Sequence, residues 1–126
     1  MTYWIIRNLG TISLLESMTE EGVIIVDVRD LKDDETDKFK IRKKIELIAG
    51  LMSLGHRVAV RCVGGMNRSN CMAIATLCYI EPHGDLDNTW NFHYDRVKAV
   101  CGRAHICPDL VDTTKKVLKA IRRDWE

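Results

Sequence analysis

Residues 69 to 80, SNCMAIATLCYI, carry no charge, and at helical spacing their apolar side chains point to every side. A helix of that kind must be covered all round, so the chain has to build a domain about it. Directly upstream, RVAV (57–60) is a short apolar, β-branched run that reads as a buried strand. The two are joined by CVGGMNR, a turn with adjacent glycines. This central strand–turn–helix unit limits the fold to a sheet and further helices that enclose one helix.

The flanking sequence supplies them. GVIIVDV (22–28) reads as a second buried strand, and TYWII adds a strand at the start. RDLKDDETDK (29–38) is a polar, acidic loop running into a helix start, with Asp37 at the cap. Ile41, Ile45, Ile48 and Met52 then recur at helical spacing, with Leu47, Leu51 and Leu54 widening the stripe and Gly55 as a left-handed cap. Asp85 caps another helix, with Leu86, Trp90, His93, Val97 and Val100 inward and Gly102 closing it. Pro108 and Asp109 open the last helix, whose inner face is Leu110, Thr114, Val117, Ile121 and Trp125. The pattern predicts one α/β domain over residues 1–126, with a small, mostly parallel central sheet flanked by helices. Parallel sheets bind ligands at the carboxyl ends of their strands, and both the CVGGMNR turn and the acidic loop lie at such ends.

Composition narrows the function. A formal net charge of +1 gives no global attraction for nucleic acid or a membrane, so any anion must be held by a local site. No apolar run approaches membrane-spanning length, and the start does not read as a signal peptide. The five cysteines are odd in number, which points to free thiols in a reducing cytoplasm. No pair has C-x-x-C spacing, which argues against a zinc site. Cys71, Cys78, Cys101 and Cys107 read as small buried hydrophobes. His56, His83, His93 and His105 read as structural, the three tryptophans as packing groups, and KFKIRKK (38–44) as a solvated helix face.

The turn itself carries chemistry. Gly64 and Gly65 let the backbone curl until successive N–H groups point inward. The following helix adds its positive end, and Arg68 a planar cation that matches two phosphate oxygens. Together with Val63, Met66 and Asn67 these form a candidate cradle for a tetrahedral dianion. Cys62 at its base is a candidate nucleophile, since the same donors favour the thiolate. Ser69 can give a hydrogen bond to the sulfur when it leaves.

VAVRCVGGMNRSNCMAIATLCYI resembles the signature of the cysteine-dependent protein tyrosine phosphatases, in their small dual-specificity and archaeal-type branch. That signature is a strand, then C-x-x-G-x-x-R-[ST], then a buried helix, and Cys62, Gly65, Arg68 and Ser69 match it. The resemblance implies that Cys62 is the nucleophile, Arg68 binds phosphate and transition state, and Ser69 assists release of the cysteine. It implies a metal-free, cofactor-free hydrolase of phosphomonoesters, with a phosphorylated protein or small phosphomonoester as partner. Arg61 stands where the family usually has histidine.

The leaving group needs a proton, and an aspartate on a nearby loop can provide it. VDVRDLKDDETD offers Asp27, Asp30, Asp33, Asp34, Glu35 and Asp37. Asp27 lies within the strand and is expected to face away or to pair locally. Asp30 is the first choice because it follows the strand end, with Asp33 and Asp34 next. The expectation is a cytoplasmic, monomeric phosphatase. Its rivals are a phosphate-binding module without turnover, an RNA 5′-phosphatase of the same superfamily, and thiol chemistry on another oxyanion.

Overall fold

A computed structural model describes residues 2–13, 21–63, 67–102, 106–122 and 125. Four strands and four helices follow in the order β1 (Tyr3–Ile6), β2 (Leu9–Ser13), β3 (Val23–Asp27), α1 (Lys38–Ser53), β4 (Arg57–Cys62), α2 (Asn67–Ile80), α3 (Leu86–Val100) and α4 (Pro108–Ile121). The sheet order is β1-β2-β4-β3. β4 pairs in parallel with β2 and β3 on its two sides, and only β1 runs antiparallel. The α/β architecture with a mostly parallel sheet is the one the pattern predicts. The central place of β4 matters most, because Cys62 ends it and so lies at the carboxyl edge of the sheet.

β2 is an addition to the sequence reading. Arg7 and Asn8 turn the chain, and Leu9–Ser13 comes back against β1. Gly10 permits the close approach: a Cβ there would meet the Tyr3 carbonyl oxygen at 2.8 Å and the Trp4 ring at 2.9 Å. Trp4 in turn lies under the Arg57 guanidinium, 4.1 Å from its ring centroid.

α2 is the hub. Every residue from Ser69 to Cys78 is buried, as the uncharged run demands. It packs on the sheet and on α1, α3 and α4. Complete burial of one large aliphatic side chain stabilises by about 1.5–3 kcal/mol, so Met72, Ile74 and Leu77 alone make the hub a major source of stability. α1 contributes Ile41, Ile45, Ile48, Ala49 and Met52. Its stripe is narrower than expected: Leu51 is only half-buried, and Leu47 and Leu54 are exposed. Val100, at the last turn of α3, is also exposed, while Ile121 and Trp125 are half-buried against the core.

The caps follow the sequence chemistry. Asp37 accepts hydrogen bonds from the amides of Phe39 and Lys40, and Asp85 from that of Asn88. Gly55 follows α1 at φ +89°, in the left-handed region where glycine has no steric penalty. Cys101, one residue before Gly102, closes α3.

Candidate active site

The site lies where β4 ends and α2 begins. Cys62 is fully buried, with its Sγ 3.4 Å from the Ser69 amide nitrogen and 3.3 Å from Ser69 Oγ. The Ser69 N–H belongs to the first turn of α2, where backbone donors have no intrahelical partner. Here one of them is spent on sulfur. Ser69 is itself fully buried, so the pair is shielded from competing water. In the thiol form Cys62 also reaches the Val63 carbonyl, at 3.7 Å. Val63 is exposed. The expected cradle residues Gly64, Gly65 and Met66 lie outside the described residues, as does His105.

Arg68 turns toward the acidic loop. Its Nη1 donates to the carbonyls of Arg29 at 2.9 Å and Leu31 at 2.8 Å, and its Nε is 3.6 Å from Asp33 Oδ1. The loop that receives these bonds is braced from within. Val28 and Leu31 are buried beneath it. Glu35 is buried too, and its two oxygens accept from the amides of Lys32 (3.2 Å) and Asp37 (3.1 Å). Burial pushes the Glu35 carboxyl up, but those amide bonds outweigh it and hold the group below its ordinary value. Glu35 appeared in the sequence only as one more acid, and its bracing role rests on backbone contacts that no residue pattern displays.

The acid candidates separate by their partners. Asp27 accepts from Arg29 at 2.7 Å and from Arg61 at 3.2 Å. Arg61 thus turns its guanidinium to the end of β3. Asp30 pairs with Lys44 Nζ at 3.0 Å, and Lys44 also reaches the Asp27 carbonyl at 3.2 Å. These groups, with Arg29, line a cavity of about 470 Å³. Asp33 instead accepts from Asn67 Nδ2 at 2.8 Å, next to Arg68. Asp34 is exposed.

All five cysteines are free. Burial pushes the thiols of Cys71 and Cys78 up to about 12, which leaves them inert at neutral pH. Cys101 is also buried, and Cys107 half-buried.

Among the described residues, Glu81, His83 and His93 could hold a metal ion, with one ligand atom each inside 4.8 Å. Their existing bonds oppose it. His93 Nε2 is 2.8 Å from the Glu81 carbonyl oxygen, and the Arg96 cation sits 2.8 Å from the same Glu81 carboxylate that a metal would need. The cluster reads as a clasp between the end of α2 and α3. It is about 20 Å along α2 from Cys62, at 1.5 Å per residue. The basic stretch of α1 is exposed at Lys38, Phe39, Lys40, Arg42 and Lys43 and forms a solvated face.

No protein-family model matches the sequence, and no curated protein matches it. The fold does have a solved counterpart. The crystal structure of a leucine rich repeat and phosphatase domain containing protein from Entamoeba histolytica superposes with a TM-score of 0.78 at 15% sequence identity, over 99% of this chain and 96% of that one. At that identity the likeness establishes a shared fold. No helix among the described residues is long and apolar enough to cross a membrane.

Proposed function

We propose that this chain is a cysteine-dependent phosphatase that hydrolyses phosphomonoesters through a phosphocysteine intermediate. The observation that carries this reading is the joint placement of Cys62, Ser69, Arg68 and Asp33 at the carboxyl end of β4. The shared fold with a phosphatase-domain protein supports it.

In the proposed first step the Cys62 thiolate attacks phosphorus, an S–P bond forms, and the P–O bond to the leaving group breaks. Asp33 gives its proton to the departing oxygen. In the second step Asp33, now a carboxylate, takes a proton from water as the water attacks phosphorus and the S–P bond breaks. The Ser69 hydroxyl stabilises the thiolate that is released. Arg68 and the amides at the start of α2 meet the charge on the phosphoryl oxygens throughout. Asp33 takes the acid's role ahead of Asp30 because Asp30 is held by Lys44, whereas Asp33 stands beside Arg68. The proposed substrates carry phosphotyrosine, with phosphoserine and phosphothreonine admitted by a shallow site. The proposed setting is a cytoplasmic monomer of one domain; the free thiols are consistent with that compartment.

The test is release of phosphate from p-nitrophenyl phosphate at mildly acidic pH. Activity lost on Cys62→Ser is the expected result. Wild-type protein that binds a phosphopeptide yet releases no phosphate defeats the enzyme reading and leaves a phosphate-binding module.

A further inference from the structure

Resting on that reading, we propose that Asn67 is a positioning residue: its side-chain amide fixes the acid Asp33 and anchors it to the start of α4.

Asn67 lies at the first turn of α2, one residue before Arg68. Its Oδ1 accepts from the Cys107 backbone N–H at 2.7 Å, and its Nδ2 donates to Asp33 Oδ1 at 2.8 Å. The first bond settles the second. A backbone N–H can only donate, so the amide oxygen must face Cys107 and the NH2 must face Asp33. Cys107 is the N-cap of α4, and its own side chain makes no cap bond. The bridge therefore has its fixed end on two packed helices and its free end on a loop aspartate whose side chain is 69% exposed.

An aspartate that exposed samples several rotamers unless something holds it. Rate in proton transfer depends on a carboxyl within hydrogen-bond reach of the departing oxygen. The Asn67 bond occupies Oδ1, which leaves Oδ2 to carry the proton. Few side chains could do the same. Aspartate at 67 has no donor for a carboxylate, and serine is too short to reach both partners. With its amide oxygen on Cys107 and one Nδ2–H on Asp33, the side chain serves the acid, and contact with the substrate phosphate is assigned to the Asn67 backbone. The sequence reading placed Asn67 among the substrate-binding residues; this assigns its side chain a different task.

The experiment compares a substrate whose leaving group needs no proton, p-nitrophenyl phosphate, with phenyl phosphate, whose leaving group does. For Asn67→Ala, the first-turnover rate, read by rapid mixing before the step in which Asp33 acts as base, should fall about 10- to 100-fold on phenyl phosphate, part of the total that a general acid supplies. On p-nitrophenyl phosphate that first-turnover rate should change by less than about threefold, with the affinity for both substrates nearly constant. Asn67→Ser, which can keep the Cys107 bond but not the bridge, should show the same selective loss, and it serves if the alanine variant does not fold. In an Asp33→Asn background, Asn67→Ala should cost nothing further. Equal losses on both substrates, or a full further loss in that background, overturn the proposal. So does an Asp33→Asn variant without selective loss, which removes Asp33 as the acid while Cys62 chemistry stands. Wild type inactive on both substrates overturns the phosphatase reading itself.

Discussion

Arg68 is bonded directly to the backbone above Leu31: Nη1 donates to its carbonyl at 2.8 Å and to that of Arg29 at 2.9 Å. The arginine at the start of α2 therefore grips the acidic loop through main chain, whatever side chains that loop carries. Leu31 is itself buried in the core, so the grip is on a fixed point. One side chain thus links the start of α2 to the segment that holds Asp33.

Arg68→Lys should separate charge from geometry. A lysine keeps the cation, but it has no planar fork to span two carbonyls and two phosphate oxygens. We expect kcat/KM for p-nitrophenyl phosphate to fall about 10²–10³-fold, the usual cost of losing a preorganised donor to a developing oxyanion. Inhibition by inorganic phosphate should weaken in parallel. A lysine variant with near wild-type kcat/KM means that charge alone suffices at this position.

Ser69→Ala should act on the second chemical step. Removing the hydroxyl 3.3 Å from Cys62 Sγ leaves the departing thiolate with one donor fewer. A hydrogen bond to a charged group contributes about 1.5–3 kcal/mol, or roughly 10- to 100-fold in rate. Steady-state kcat should fall by that amount while the first turnover stays fast. Rapid-mixing kinetics then show a burst of p-nitrophenol close to one equivalent per site. A slow first turnover without a burst places Ser69 in the attack step instead.

How much of this was written in the sequence depends on the range of the contacts. β4 and α2 were legible because each carries a local signal: β-branched residues and an uncharged helix. The Asp37 and Asp85 caps were legible for the same reason. β2 was not, because LGTIS contains glycine and small polar residues. Its strand character comes from its neighbours, β1 on one side and β4 on the other. The stripe of α1 looked wider than it is because periodicity counts apolar residues and cannot see where packing stops. The acids were legible as a group but not as individuals. Lys44, fourteen residues after Asp30, claims that carboxylate, and Asn67, thirty-four residues after Asp33, claims the other. Neither pairing has a sequence signature.

Asp27 should govern behaviour in acid. Burial pushes its carboxyl up, but hydrogen bonds from the Arg29 side chain and amide and from the Arg61 side chain outweigh this and hold it down to about 2. A carboxyl lowered on folding adds stability above its unfolded value, near 3.9, and that stability drains away as pH falls toward 2. Partial exposure limits the effect to about 1–2 kcal/mol. Asp27→Asn should be less stable than wild type at pH 6, and the gap should close between pH 4 and 2. Urea midpoints across that range measure it. A gap independent of pH means that the three groups are not coupled by charge.

His93 should govern the neutral range. Its ring is fully buried on α3, 2.8 Å from the Glu81 carbonyl oxygen and 3.4 Å from Arg96. Burial, reinforced by the Arg96 cation, lowers its proton affinity and outweighs the Glu81 contacts that raise it. As pH drops through about 6.5 the unfolded chain gains a proton at this histidine before the folded chain does. Stability must then fall, at up to about 1.4 kcal/mol per pH unit from this one group. In His93→Gln that dependence should largely vanish between pH 7 and 5.5, although the variant is less stable overall because it repacks a buried ring. The ring signals of His93 in wild type should also be those of a mainly neutral ring at pH 6.5. A His93 ring that is mainly protonated at pH 6.5 would show that Glu81 holds the charged form, making the clasp an ion pair.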